Sequence, residues 1–397
     1  MPALGRSRLT WPARFGLLAM LAALVGGCMS GPVLANAPAS LLPVPTAAPT
    51  PIRPADPVPI RLPQDDGAHQ RLTEWWYYTG HLLDEATGGR YGFEYVIFRA
   101  ERGGFPVTWA SHLAITDEAT DAFHYAQRSV VGPSVNQPPP GSAGFSFSLG
   151  TDPTDPRTIG RPAWTMTGSG GHDHLAAELS PAEATTAGSP GGLGLDLTLQ
   201  PAKPAVLHGA NGWIDFGPAG GSYYYSRTDE LASGSIVVEG RRLEVSGTAW
   251  FDHQWGDFIA VGGGGWDWFA VNLADGTDLT LSLVRAADGS DALVYGTLVD
   301  RAGSVTHLDR SAFSVAVTGH WRSPATSATY PAGWMITIPD QGLTINLVPT
   351  VAGQELDTRA TTGVVYWEGS QVVSATRNGT PEGGQAYVEL TGYGPGL

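Results

Sequence analysis

The chain has 397 residues, a formal net charge of −15 and a single lysine, Lys203. Nucleic-acid binding needs a cluster of basic side chains, and no such cluster stands out here, so the sequence excludes that class of function. Cys28 is the one cysteine, which excludes a disulfide framework, a catalytic thiolate in the body of the chain and a cysteine metal site.

The first residues predict a lipoprotein signal peptide over 1–27. Three arginines precede a short apolar stretch, 15–25, and small residues lead up to Cys28. The apolar stretch is shorter than the roughly 20 residues that a membrane-spanning helix needs. An ordinary signal peptide with an incidental cysteine is the alternative. The small residues before Cys28 favour a diacylated thiol, and two acyl chains anchor a protein stably. The sequence therefore predicts an exported, membrane-anchored, extracytoplasmic lipoprotein of the cell envelope.

The segment 28–65 is rich in proline and alanine and predicts an extended tether rather than a domain. Beyond it the chain is long for one β-barrel, so two domains are expected. We place an N-terminal domain at 66–257 and a C-terminal domain at 258–397, with the glycine run 262–265 near the junction.

Short runs of alternating aromatic and β-branched residues, separated by turn residues, predict an all-β body. The ranges 277–285, 291–300 and 304–308 predict a meander, with turns at Asp288-Gly289 and Ala302-Gly303. A hairpin is expected over 235–251, and a further strand over 191–199. The best helical stretch, 180–186, is short. Many short strands with turn signals favour antiparallel sandwiches or barrels.

Tryptophans and tyrosines cluster with acids and histidines at 74–81, 250–257, 265–269 and 366–369. Aromatic walls of this kind suit an apolar ligand. Since side chains alternate along a strand, each of these clusters offers an aromatic face and an acidic face. In one cluster Phe251, His253 and Trp255 share a face opposite Trp250, Asp252 and Gln254. In another Trp266 and Trp268 lie opposite Asp267. The pattern leaves open which face looks inward.

Two interpretations of these clusters stand side by side. In the structural one, the aromatic residues fill a core, and a buried aspartate satisfies backbone donors or pairs with an arginine. In the functional one, a desolvated carboxyl has a raised pKa and protonates an alkene, and aromatic faces stabilise the carbocation. His172-Asp173-His174 lacks an evident third ligand, so neither a metal site nor any cofactor is predicted.

A series of motifs over roughly 70–397 resembles one known family. They are EWWYYTGHL at 74–82, YGFEYVIFR at 91–99, GTAWFDHQWG at 247–256, GWDWFAVNL at 265–273, WRSP at 321–324, YPAGW at 330–334, QELD at 354–357, YWEG at 366–369 and AYVELTGYG at 386–394. In this order they are similar to the carotenoid 1,2-hydratase (hydroxyneurosporene synthase) and AttH-like lipocalin-like family.

The resemblance implies two tandem lipocalin-like antiparallel β-barrels with a cavity within or between them. In the hydratases an aspartate protonates a terminal isoprenoid double bond, and water quenches the cation. The matching general acid here is Asp267, with His253 orienting it or activating water and Asp252 as a further catalytic candidate. The expected substrate-binding residues are Glu74, Trp75, Trp76, Tyr78, Trp255, Trp266 and Trp268.

Taken together, these features predict a lipid-anchored protein that binds an apolar isoprenoid, carotenoid or other lipid and hydrates a terminal double bond. A non-catalytic lipid carrier or chaperone of the envelope is the alternative hypothesis. A third hypothesis is a tethered module that binds a protein partner. Carotenoid hydratases act on pigments made at the cytoplasmic face, whereas this chain is expected to be exported. The resemblance therefore leaves open both the substrate and whether the protein is an enzyme.

Overall fold

The structure, a computed structural model, describes residues 56–151, 156–258 and 263–394. The predicted signal peptide, Cys28 and most of the predicted tether lie outside the described residues. Within them, no helix has both the length and the apolar character needed to cross a membrane.

Within the described residues, the first antiparallel sheet contains twelve strands. They are β1 (Thr73–Asp84), β2 (Gly89–Ala100), β3 (Thr108–Asp117), β4 (Ala122–Val131), β5 (Phe145–Leu149), β6 (Trp164–Ser169), β7 (His172–Glu178), β8 (Leu193–Pro201), β9 (Val206–Leu207), β10 (Trp213–Asp215), β11 (Gly221–Val238) and β12 (Arg241–Gly256). Their order is β4-β3-β2-β1-β12-β11-β8-β7-β6-β5, with β9 and β10 paired to β11. The sheet curls, and an isolated bridge from Asn136 to Phe147 brings its two ends together.

The second antiparallel sheet has ten described strands. A separate two-stranded sheet is formed by residues that lie between two of these strands in the sequence. The ten strands are β13 (Gly263–Leu273), β14 (Asp278–Ala286), β15 (Asp291–Val299), β16 (Val305–Leu308), β17 (Ser314–Val317), β20 (Trp334–Ile338), β21 (Leu343–Pro349), β22 (Glu355–Asp357), β23 (Val365–Arg377) and β24 (Thr380–Thr391). The small sheet pairs β18 (His320–Arg322) with β19 (Thr329–Pro331). Two curled antiparallel sheets of this kind form the lipocalin-like, all-β architecture that the sequence predicts.

Local sequence signals account for the predicted turns and helix. The turn between β11 and β12 places Glu239 and Gly240 at φ 50° and 74°, the two positive values that a type I′ hairpin turn requires. The predicted helix is confirmed as Pro181–Thr186. It begins at a capping box, in which the Ser180 side chain accepts from the backbone N–H of Glu183. The predicted meander is confirmed as β14, β15 and β16.

The aromatic run 75–78 lies on β1, and both faces of this part of the strand are largely buried. Trp76 and Tyr78 pack inside the first sheet, where neither side chain is exposed. Tyr77 points the other way and packs with Trp250, Trp268 and other residues in a layer between the two sheets. That layer, formed by Tyr77, Val96, Trp250, Trp268, Ala270 and Tyr387, joins the outer face of the first sheet to the second sheet.

Candidate functional site

A cavity of about 130 Å³ lies between the two sheets and takes its walls from both. Strands β1, β2, β3, β11 and β12 contribute from the first sheet, and β13, β14, β15, β23 and β24 from the second. The walls are largely aromatic, as expected of a site for an apolar small molecule. The aromatic lining residues are Trp75, Tyr77, Phe98, His112, Phe216, Tyr224, Phe258, Trp266, Trp268, Tyr295 and Tyr366.

Strand alternation decides which side chains of β12 reach the cavity. Asp252 and Gln254 line it, whereas His253 and Trp255 point into the interior of the first sheet. The acidic face of this strand therefore looks toward the ligand space, and its aromatic face fills the core.

On β13 the two faces are reversed in character. Trp266 and Trp268 line the cavity, and Asp267 lies on the opposite face of the strand. The site therefore combines the acidic face of one strand with the aromatic face of another, each from a different sheet.

Three carboxylic acids line the cavity, and burial raises the pKa of each. The pKa rises to about 8 for Glu94, to about 7 for Glu389 and to about 6 for Asp252. Among the described residues no cationic side chain contributes to these three shifts. A fourth buried acid, Glu368, accepts a hydrogen bond from the Tyr77 hydroxyl at 2.7 Å. Near neutral pH the cavity therefore holds both protonated and ionised carboxyls.

Asp252 is held as a hydrogen-bond acceptor. The Tyr224 hydroxyl donates to Oδ2 at 2.6 Å, and the Trp250 indole N–H donates to Oδ1 at 2.7 Å. The Ser226 hydroxyl also donates to Oδ1. These three donors favour the ionised form and lower the pKa, although desolvation outweighs them. Asp252 is therefore the acid of the cavity that ionises first as the pH rises.

Glu94 has the opposite environment. One carboxyl oxygen, Oε1, accepts from the Tyr366 hydroxyl at 2.8 Å. The other, Oε2, is buried and has no hydrogen-bond partner among the described residues. An unpaired buried oxygen is costly for a carboxylate and much less so for a protonated acid, so Oε2 is the natural position for the proton.

A chain of hydrogen bonds leads away from Glu94 across the two sheets. Tyr366 on β23 lies 2.7 Å from Nδ1 of His112 on β3, and Nε2 of that histidine lies 3.1 Å from the Thr361 hydroxyl. Burial lowers the pKa of His112 to about 3, so the imidazole is neutral. A neutral imidazole can accept a proton on one nitrogen while it gives up the proton on the other.

The structure separates the residues that the sequence analysis selected. Asp252, Trp75, Trp266 and Trp268 line the cavity. The other substrate-binding candidates and His253 belong to the interior of the first sheet, on the face of β1 and β12 away from the cavity. These residues are Glu74, Trp76, Tyr78, Trp255 and His253.

Asp267 is placed away from the cavity walls. Its carboxylate pairs with the Arg285 guanidinium and accepts from the Tyr393 hydroxyl at 3.1 Å. Burial still raises the pKa of this aspartate, but the arginine opposes that shift. This arrangement matches the structural interpretation of a buried aspartate between tryptophans, namely an acid satisfied by an arginine.

Three residues of the site were missed in the sequence, namely Glu94, His112 and Glu389. Glu94 and Glu389 stand inside the motifs YGFEYVIFR and AYVELTGYG, each as a single acid within an apolar strand. A lone acid in a strand that is otherwise buried is a usable signal of a desolvated carboxyl. His112 carries no comparable signal, because its role depends on a tyrosine 254 positions away in the sequence.

Comparisons with known proteins agree with this architecture. The sequence model of the AttH-like family matches residues 53–393. A candidate AttH protein from Nitrosomonas europaea is 30% identical, with a TM-score of 0.70, and the match covers 85% of this chain and 98% of that one. Kievitone hydratase from Nectria haematococca is 15% identical, with a TM-score of 0.58 and coverage of 87% and 96%, a likeness of fold alone. No curated protein matches the sequence.

Proposed function

The chain belongs to the AttH-like family, and from the acids of its cavity we propose that it adds water to a carbon–carbon double bond of an apolar ligand. The observation that supports this proposal is the pairing of a protonated and an ionised carboxyl in one aromatic cavity. Burial raises both pKa values, to about 8 for Glu94 and to about 6 for Asp252, where three hydrogen-bond donors oppose the rise. Two acids with separated pKa values can serve as proton donor and proton acceptor in the same reaction. The hydratase name of one protein of the same fold is consistent with this chemistry.

In the proposed reaction Glu94 is the general acid. Its carboxyl proton passes to one alkene carbon, and the π electron pair forms the new C–H bond. The other alkene carbon becomes a carbocation. The faces of Trp75, Trp266 and Trp268 lie around the cavity and stabilise positive charge through their ring quadrupoles.

Asp252 serves in the second half of the reaction. Its ionised carboxylate stabilises the cation and orients a water molecule. The water oxygen forms the C–O bond, and its surplus proton passes to the Asp252 carboxylate, which leaves an alcohol. Proton return to Glu94 completes the cycle, with Tyr366 and His112 as the hydrogen-bonded groups next to Oε1.

The size of the cavity limits which part of a ligand reacts. Its volume of about 130 Å³ is close to that of an engineered protein cavity of about 150 Å³ that binds benzene. About five or six carbon atoms fit such a space, which corresponds to one terminal isoprenoid unit. A longer polyene or lipid would place only its end between the sheets.

A direct assay tests this function with the purified full-length chain. The protein is incubated with acyclic isoprenoids, from short terpenes to long polyenes, and the organic extract is analysed by mass spectrometry. Hydration yields a product heavier by one water. Ligand that is recovered bound but unchanged would refute the catalytic proposal and support the alternative, a non-catalytic lipid carrier.

The pH dependence of turnover should be bell-shaped. Turnover requires Asp252 ionised and Glu94 protonated, so the rate should fall below about pH 6 and above about pH 8. Initial rates measured across this range at ligand concentrations well below KM, with folding checked by circular dichroism, give the two limits for the free protein. A rate that keeps rising above pH 8 would show that the donor is not a carboxylic acid in the state proposed here.

We also propose that the protein is exported and anchored through a diacylated Cys28, on the sequence signals alone. The mature N-terminal peptide is expected to begin at Cys28 and to carry acyl groups detectable by mass spectrometry. The Cys28→Ser variant lacks the thiol and should give no acylated peptide. A wild-type protein cleaved at another position, with an unmodified Cys28, would contradict this proposal.

A further inference from the structure

On the far side of β1 and β12 from the cavity, His69, Glu74 and His253 converge inside the first sheet. We propose that these three residues form a binding site for a divalent transition-metal ion, with zinc as its probe. One donor atom from each residue lies within 4.8 Å of the other two. The inference stands on this cluster alone and does not depend on the hydration reaction.

The donor atoms are spaced closely enough to share one ion. Glu74 Oε1 lies 2.7 Å from Nδ1 of His69 and 3.0 Å from Nε2 of His253. Ligands at roughly 2.0–2.2 Å from a tetrahedral zinc ion stand roughly 3.3–3.6 Å apart. The carboxylate therefore has to retreat by less than about 1 Å to admit the ion between the three atoms.

The chemistry of the donors suits zinc. Two imidazole nitrogens and one carboxylate oxygen make a His₂Glu set, which leaves a fourth position for water or another donor. An imidazole coordinates in the plane of its ring, so packing against its faces does not block the metal. Here the faces are packed: His69 stacks on Trp255 at 4.1 Å and 1°, and His253 lies 4.6 Å from the Trp76 ring.

Polar groups lie behind both histidine donors, as they do at known metal sites. Metal-bound histidines usually donate their second N–H to a carboxylate, a carbonyl or water. The second nitrogen of His253, Nδ1, lies 3.3 Å from the Tyr225 hydroxyl, which in turn donates to Asp66. The second nitrogen of His69 faces the carboxylate of Asp65 at 3.7 Å.

The donors come from two distant parts of the chain, so a bound ion would join the segment 69–74 to His253. His69 precedes β1, Glu74 lies on β1, and His253 lies on β12. Glu74 and His253 are fully buried, while the side chain of His69 is 21% exposed and gives the ion a route from solvent. Without an ion the same groups form a Glu74 carboxylate hydrogen-bonded to two histidines, which is the competing explanation.

Zinc binding to the full chain distinguishes the two explanations. Protein stripped with a chelator is dialysed against zinc, and bound zinc is counted by mass spectrometry and its affinity measured by calorimetry. One ion per chain is expected. His69→Ala should weaken the affinity by at least about tenfold. The control His174→Ala removes an exposed histidine that pairs with Asp196 and should leave the affinity unchanged.

Cobalt binding gives a second readout that uses only the wild-type protein, so it does not require any variant to fold. Co²⁺ held by two histidines and a carboxylate at low coordination number should show visible absorption bands that excess zinc removes. Absence of stoichiometric zinc in the wild type would overturn the proposal. Equal zinc affinity in wild type and His69→Ala would also overturn it, since the ion would then lie elsewhere.

Discussion

The Glu94→Gln variant is expected to lose about 10²–10⁴-fold in the rate of hydration while it keeps its affinity for the ligand. Glutamine has nearly the same shape, and its amide oxygen can still accept from the Tyr366 hydroxyl. It carries no acidic proton for the alkene, so only the chemical step should suffer. Turnover is measured by the mass-spectrometric assay, and ligand binding by quenching of tryptophan fluorescence from the cavity walls.

The matched control is Asp267→Asn, which removes an acid from another motif of the same series. Asp267 pairs with Arg285 on the face of β13 away from the cavity, so this change should leave the rate per folded molecule nearly unaltered. The reverse result, an inactive Asp267→Asn and an active Glu94→Gln, would return the role of general acid to the residue that the family resemblance indicates.

The all-β fold was predictable because alternation and turn chemistry are local properties. The strands of the meander, the hairpin turn at Glu239-Gly240 and the capped helix after Ser180 are each encoded within a few residues. The partner of each strand was not predictable in the same way. Strand β1 pairs with β12, so that Trp75 lies opposite Gln254, and no local signal specifies a pairing so distant in sequence.

The site was harder to predict because polar residues normally mark the outward face of a strand, and this signal is lost in strands that lie between two sheets. A strand with one solvated face shows which side is inside, but β1, β12 and β13 are buried on both faces. The motifs therefore showed Asp252 and Asp267 as equivalent acids beside tryptophans. The packing of the second sheet against the first places Asp252 in a cavity wall, whereas Asp267 pairs with Arg285 of the neighbouring strand β14.

The second large effect is expected at the one lysine of the chain. Lys203, in the segment between β8 and β9, donates to Asp278 of β14 at 2.6 Å and to the Gly276 carbonyl at 2.7 Å. The Thr228 hydroxyl and the Asn272 amide also donate to the Asp278 carboxylate. The ion pair therefore links the first sheet to the second, and its side chains are only 7% and 2% exposed.

We expect Lys203→Met to lower the free energy of unfolding by about 3–5 kcal/mol, because it leaves a buried carboxylate without its cation. Burial already raises the pKa of Asp278 even beside the lysine, which reflects how unfavourable that charge is in this environment. The double variant Lys203→Met with Asp278→Asn should recover part of the loss, since no unpaired charge remains. Urea unfolding followed by tryptophan fluorescence gives the free energy of unfolding of the wild type, the single variant and the double variant.

Arg310→Met provides the matched control. Like Lys203, Arg310 pairs with an aspartate, Asp291, but both side chains of this pair are largely exposed. An exposed pair contributes at most about 1 kcal/mol, so this variant should unfold near the wild-type midpoint. If Lys203→Met cost no more than this control, the buried pair would not hold the two sheets together. The aromatic layer around Tyr77 and Trp268, with the hydrogen bond from Tyr366 to Glu94, would then supply that stability and fix the spacing between Glu94 of one sheet and the tryptophans of the other.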